Sequence, residues 1–224
     1  MARLHPGALL DRPPGPRYCD VLRFAEVAPQ PPLPRPGTLD RWRAGTPEDF
    51  AFALVAPLSA VTSPRGPMRF DADLESAVGW MLDAATALRA LAIVVPTGAQ
   101  LTTGQRDRDL LAAYFDRIRR DSHQIVWAPT GLWEPETARA LAERLGVHCA
   151  FDPFETKAPA GAFAYARLRA MGGRLRFSDD MLLGIAADAL AHEATDVYVA
   201  IESPRSFREA SRLHQLATDA ASDG

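Results

Sequence analysis

This chain is poor in the side chains that usually announce chemistry. Among its 224 residues are two cysteines, five histidines and a single lysine, Lys157. Cys19 and Cys149 are far apart and match no metal or redox spacing, so we read them as reduced, buried thiols. His5, His123, His148, His192 and His214 never fall in an HxH or HExxH pattern, and neither a metal nor a cofactor is expected. His148, beside Cys149 and four residues before Asp152, comes nearest to a ligand pair. There is no nucleophile elbow, no phosphate loop and no Ser/His/Asp arrangement. Apolar runs are short and broken by charge, which excludes a membrane-spanning helix. The opening residues hold no apolar core of signal-peptide length, so a cytoplasmic location is expected. With a net charge of −3, total charge makes no case for nucleic acid.

What is present suits a globular protein. The chain is 47% hydrophobic and 24% charged, enough for one large domain or two small ones. Apart from Lys157 its basic residues are arginine, which alongside abundant Ala, Pro and Gly reads as the habit of a GC-rich gene. Arg106, Arg108, Arg117, Arg119 and Arg120 alternate with Asp107, Asp109, Asp116 and Asp121, the pattern of a solvated helix face.

From residue 20 onward strands alternate with helices. Runs rich in Val, Ile and Phe predict strands at 21–27, 51–56, 91–95, 124–127, 147–151, 163–168 and 196–201. Leu74, Val78, Met81, Leu82, Ala85 and Leu88 share one face of a helix starting near Asp73. Leu110, Leu111, Tyr114, Phe115 and Ile118 repeat that pattern. Pro135 suits a first helical turn, Gly146 a stop, and Ser178 and Ser203 the starts of the last two helices. The last helix is expected to run to about 217 and leave a flexible tail at 218–224. Seven strands, with an eighth available at 2–5, admit an open doubly wound sheet or a closed barrel. Periodicity leaves both open, although no Gly-rich loop supports a nucleotide-binding open sheet.

Residues 42–62, WRAGTPEDFAFALVAPLSAVT, resemble a phrase of the YecE-like proteins, the domain-of-unknown-function family seventy-two (DUF72). In that phrase a Trp and "TP-x-x-F-x-F" lead into a strand ending in Lys, then "TH"; here Val55 stands at the Lys and Ser63 at the His. Six further phrases stand in the family's order around it. RFAEV keeps Glu26 but has Ala28 for an Asn. AIVVP has Val94 for Gln and Thr97 for the second Pro. WAPTGLW keeps Trp133, while Trp127, Pro129 and Thr130 replace Glu, Arg and His. GVHCAFD keeps Asp152, and YARLR keeps Arg167 with Arg169 for His. VYVAIES has Glu202 and Ser203 for two Asn. The resemblance covers about residues 18–217 and implies a compact (β/α) barrel of the triosephosphate-isomerase (TIM) type, its first unit incomplete behind a Pro-rich segment at 1–17. The family's own reaction is not established.

In such barrels the working groups lie at the C-terminal strand ends. There the family's polar set is largely replaced, which points to a filled mouth and a non-catalytic binding or scaffold protein. Glu26, Asp152 and Arg167 are the candidate catalytic residues for the competing class, a hydrolase or lyase. Arg167, Arg169 and Glu202 are candidate ligand-binding residues. An arginine among carboxylates can hold an anion or shift a neighbour's pKa, or it can satisfy itself as a structural cluster. For a protein partner or a second copy, the candidates are Pro32 and Leu33 in PQPPLPRP (residues 29–36), with Trp127, Leu132 and Trp133. The first segment also reads as a stiff loop, and the tryptophans also read as caps on the barrel ends.

Overall fold

The computed structural model describes residues 2–170, 175–190 and 194–222. Along the chain run β1 (Arg3–Leu10), α1 (Pro16–Cys19), β2 (Phe24–Val27), α2 (Pro36–Ala44), β3 (Ala51–Val55) and α3 (Leu58–Val61). A hairpin of β4 (Thr62–Ser63) and β5 (Gly66–Pro67) precedes α4 (Ala72–Leu88), β6 (Ala92–Thr97), α5 (Gln105–Ile118) and β7 (Gln124–Pro129). Then come α6 (Pro135–Arg144), β8 (His148–Cys149), β9 (Phe163–Arg169), α7 (Asp179–Leu190), β10 (Asp196–Glu202) and α8 (Ser206–Ser222).

Eight strands share one sheet in the order β8-β7-β6-β3-β2-β1-β10-β9. Read as a cycle, that order follows the chain without reversal. A doubly wound open sheet reverses at a switch point, and this one does not. Beyond β8, Phe151 bridges in parallel to Ala166 of β9, with Phe151 N–H donating to Tyr165 O (3.1 Å) and Arg167 N–H to Phe151 O (2.9 Å). Parallel strands in cyclic chain order, with helical returns everywhere but between β8 and β9, make a (β/α)-barrel of the TIM type, the architecture the resemblance implies.

The chain divides into two compact units. One comprises Met1–Glu26, Thr46–Ala51 and Ala150–Gly224. In it β1 pairs with β10 from Arg3↔Asp196 to Ala8↔Ile201, and β10 pairs with β9 over its whole length. The first strand is thus eight residues long and lies within the sheet. This corrects both the short strand expected at 2–5 and the boundary at residue 18. Pro6 and Gly7 lie beyond that expected strand, and Gly7 answers a packing demand. A Cβ there would sit 2.4 Å from the Phe24 carbonyl oxygen. Tyr18 of α1 completes the corner: its hydroxyl accepts from Ala8 N–H (2.8 Å) and donates to Phe24 O (2.7 Å). α8 packs on β1 and α7 and stays helical to Ser222, so the tail expected from Thr218 is helix up to that point.

The other unit comprises Val27–Gly45 and Phe52–Cys149. Asp71 caps α4 by accepting from Leu74 N–H, and Arg89, in the left-handed region at φ 48°, ends it. Trp80 of α4 donates to Pro34 O (2.9 Å), which pins the proline-rich segment at its end. Trp127 is fully buried against Phe115 of α5, and its Nε1–H donates to Thr97 Oγ1 (2.9 Å). Trp133 is buried edge-on to Trp127 and donates to Leu101 O. These two tryptophans are core, which removes them from the interface candidates: indoles whose rings and N–H groups are satisfied inside offer a partner nothing. Among the described residues no helix is long and apolar enough to cross a membrane.

Candidate functional site

Side chains alternate across a strand, so Phe163, Tyr165, Arg167 and Arg169 of β9 share one face. The register sets Tyr198 beside Tyr165 and Glu202 beside Arg169 on β10, and His5 beside Tyr198 on β1. Three layers result. At the N-terminal ends Asp196 accepts from Arg3 (2.9 Å) and meets His5 Nε2 at 2.8 Å. Burial alone would raise the Asp196 pKa, but these two partners outweigh it and hold the carboxyl below its usual range. The middle layer is aromatic: His5 stacks on Tyr198 at 4.5 Å, and Phe24 meets Tyr198 and Tyr165 edge-on.

The third layer lies at the C-terminal strand ends. Glu26 of β2 is fully buried, and its Oε2 accepts from Tyr165 OH (3.2 Å) and Arg167 Nε (3.1 Å). An Arg167 terminal nitrogen lies 2.7 Å from Glu26 Oε1, close enough to pair by charge. Among the described residues Oε1 takes no other donor. Farther out, the same guanidinium lies 3.8 Å from Glu202 Oε2, which accepts from Arg169 Nε at 2.9 Å. The result is an alternating chain, Glu26, Arg167, Glu202, Arg169, whose inner pair is more buried than its outer pair. Burial works against the Arg167 charge, but Glu26 above all outweighs it, and the pKa is raised. Burial, then the Glu26 charge, lifts the Tyr165 phenol well above its usual range, so it keeps its proton and donates a hydrogen bond to Glu26.

The structure therefore brings Glu26, Arg167, Arg169 and Glu202 together. Asp152 accepts from Phe154 N–H (2.9 Å) in a turn just after Phe151. Tyr165 was missed from sequence, although the alternation Tyr165, Arg167, Arg169 carried the signal. Ser63 spends its hydroxyl on the hairpin, donating to Arg69 O and accepting from Arg65 N–H. Neither Cys19 nor Cys149 is in a disulfide; Cys19 is buried and Cys149 half-buried, and burial pushes Cys149 up to about 11. Among the described residues, no three of His, Cys, Asp and Glu are grouped to hold a metal ion. Of the partner candidates, Pro32 is exposed, Leu33 half-buried and Leu132 64% exposed.

No family model and no curated protein matches the sequence. Among solved structures, the chain is similar to a DUF72 family protein from Enterococcus faecalis V583, with a TM-score of 0.73 at 12% identity over 96% of each chain. A second structure of that organism's DUF72 protein gives 0.69 at 13% identity, covering 99% of this chain and 98% of the other. A DUF72 family protein from Thermotoga maritima MSB8 gives 0.61 at 13% identity over 89% and 85%. D-Psicose 3-epimerase from Clostridium cellulolyticum H10, solved with D-tagatose, gives 0.54 at 11% identity over 97% of each chain. At such identities the likeness speaks for the fold alone. Phrases in the sequence and the fold of the chain lead to the same place: over nearly its whole length, this protein is similar to the DUF72, or YecE-like, barrels.

Proposed function

We propose that this is a divergent barrel of the DUF72 kind that has given up catalysis and works by binding, as a scaffold for a protein partner or a second copy of itself. The observation that supports this most is the Glu26–Arg167 pair. A guanidinium pressed on one carboxylate, with another 3.8 Å away, already has its charge answered inside the fold. Such an arginine is a poor anchor for an anionic substrate. We assign partner contact to Leu132, which is 64% exposed, and to Pro32 and Leu33. A cytoplasmic location belongs to the same reading and fits two cysteines that form no disulfide.

The test has two arms. Light scattering should find the wild type self-associated or holding a partner through purification, and Leu132→Asp should abolish that state. A monomeric wild type with no partner would overturn the binding role. In thermal melts, magnesium, zinc and phosphate should leave the wild type unshifted. A phosphate shift that disappears in Arg169→Ala would overturn the non-catalytic reading.

One observation favours the enzyme reading, a hydrolase or lyase. Among the described residues Glu26 Oε1 is buried and takes no donor besides the Arg167 guanidinium it pairs with by charge, which leaves acceptor capacity that a substrate hydroxyl can use. Glu26 would then be the general base and Arg167 and Arg169 the anchors, with Asp152 nearby in the chain. A ligand that protects the wild type but not Glu26→Gln would select this reading.

A further inference from the structure

We propose that a cavity beneath α7 binds a small zwitterion with an apolar body, matching an apolar α-amino acid in size and charge. The cavity holds ≈ 180 Å³ and lies on the opposite face of the sheet from Glu26 and Arg167. Its floor comes from Ala166 of β9 and from Val197 and Val199 of β10, the residues that alternate with Tyr165, Arg167 and Tyr198. Ile185 and Ala189, one helical turn apart on α7, form the roof. The open side exists because β8 returns to β9 without a helix: residues 152–162 pass as irregular chain and add Thr156, Lys157 and Ala158 to the lining.

The lining is graded. Phe151, Ala166, Ile185, Ala189, Val197 and Val199 are buried, whereas the two charged lining residues, Lys157 and Asp188, are exposed. An apolar cavity of about 150 Å³ holds benzene. One of this size takes a phenyl or isobutyl group in its floor and leaves a polar head at the rim. The rim carries one cation and one anion. A carboxylate alone would meet Asp188, and an amine alone would meet Lys157. A head bearing both charges suits both residues. Lys157 is also the only lysine of the chain, a compact ammonium suited to a single carboxylate. This site is independent of the barrel mouth, so its test stands apart from the tests above.

Calorimetric titration of the full chain with L-phenylalanine and L-leucine is the experiment, with phenylalaninamide, N-acetylphenylalanine and toluene as probes that lack one feature each. Saturable binding of both amino acids is expected. Loss of either head charge should weaken it about two- to five-fold, the range that exposed ion pairs supply. Lys157→Ala should erase the preference for phenylalanine over its amide, and Asp188→Asn the preference over the N-acetyl compound. Ala158→Trp, which fills the cavity from the loop, should abolish binding. If that variant fails to fold, the two charge variants decide. Absence of binding to the wild type overturns the proposal. Toluene binding as tightly as phenylalanine does so too, since the cavity is then an apolar void only. Charge variants that leave both preferences intact are equally fatal to it.

Discussion

Arg167 on β9 sets a guanidinium nitrogen 2.7 Å from the carboxylate of Glu26 on β2, a partner 141 residues away in sequence. Glu26 is fully buried and the Arg167 side chain is 12% exposed. Removing one partner strands the other's charge, which costs about 3–5 kcal/mol. Arg167→Ala should therefore unfold at markedly lower denaturant, whereas Glu26→Leu with Arg167→Met should recover most of the loss. Equilibrium urea unfolding of the single and double variants checks this. A double variant as weak as Arg167→Ala would contradict the account.

Gly7 makes a second prediction, because a Cβ there would meet the Phe24 backbone rather than a movable side-chain tip. Gly7→Ala should lower stability by about 1–3 kcal/mol, the usual cost of overpacking. Gly15→Ala is the control, since nothing lies within 4 Å of its added carbon. The pair of melting curves should separate clearly.

His148 makes stability depend on pH. Burial holds its pKa below the ordinary 6.5, and its Nε2 lies 2.9 Å from Gln124 Oε1. The unfolded chain takes up a proton near 6.5, while the folded chain resists until lower pH. The stability from this group is therefore complete above 6.5 and lost as pH falls through the folded value. His148→Gln should flatten the unfolding midpoint against pH in that window. Asp196, with its carboxyl held below the usual value of 3.8, should account for a separate loss that begins only near that value and continues as the pH falls further.

Trp127 and Leu132 are five residues apart and should behave in opposite ways. Trp127→Ala empties a fully buried site and leaves Thr97 without its indole donor, at a cost of about 3–5 kcal/mol. Leu132→Asp changes a residue that is 64% exposed and should leave the melting temperature nearly unmoved. A Leu132→Asp protein that melts like Trp127→Ala would place Leu132 in the core.

Local pattern carried most of the architecture. Short Val- and Ile-rich runs and helical periodicity placed β2, β3 and β6 through β10, since a strand buried on both faces needs nearly continuous apolar residues. Glu26, Arg167, Arg169 and Glu202 were legible as strand-end positions, because alternation along a strand is a local property. Tertiary structure decided what they do. Only the register of β9 on β10, and the return of β2 to the same face, could bring Arg167 against Glu26 and Tyr165 beneath both. The strand expected at 2–5 stops before Pro6 and Gly7 because local propensity cannot see Phe24 pressing on the backbone from another strand. Trp127 and Trp133 read as loop aromatics for the same reason: the partners that bury them, Phe115, Thr97 and Leu101, come from other parts of the chain. Sequence determined which segments are strands and which side chains stand at their ends. Long-range packing alone determined which of those charges are answered and which aromatic rings stay dry.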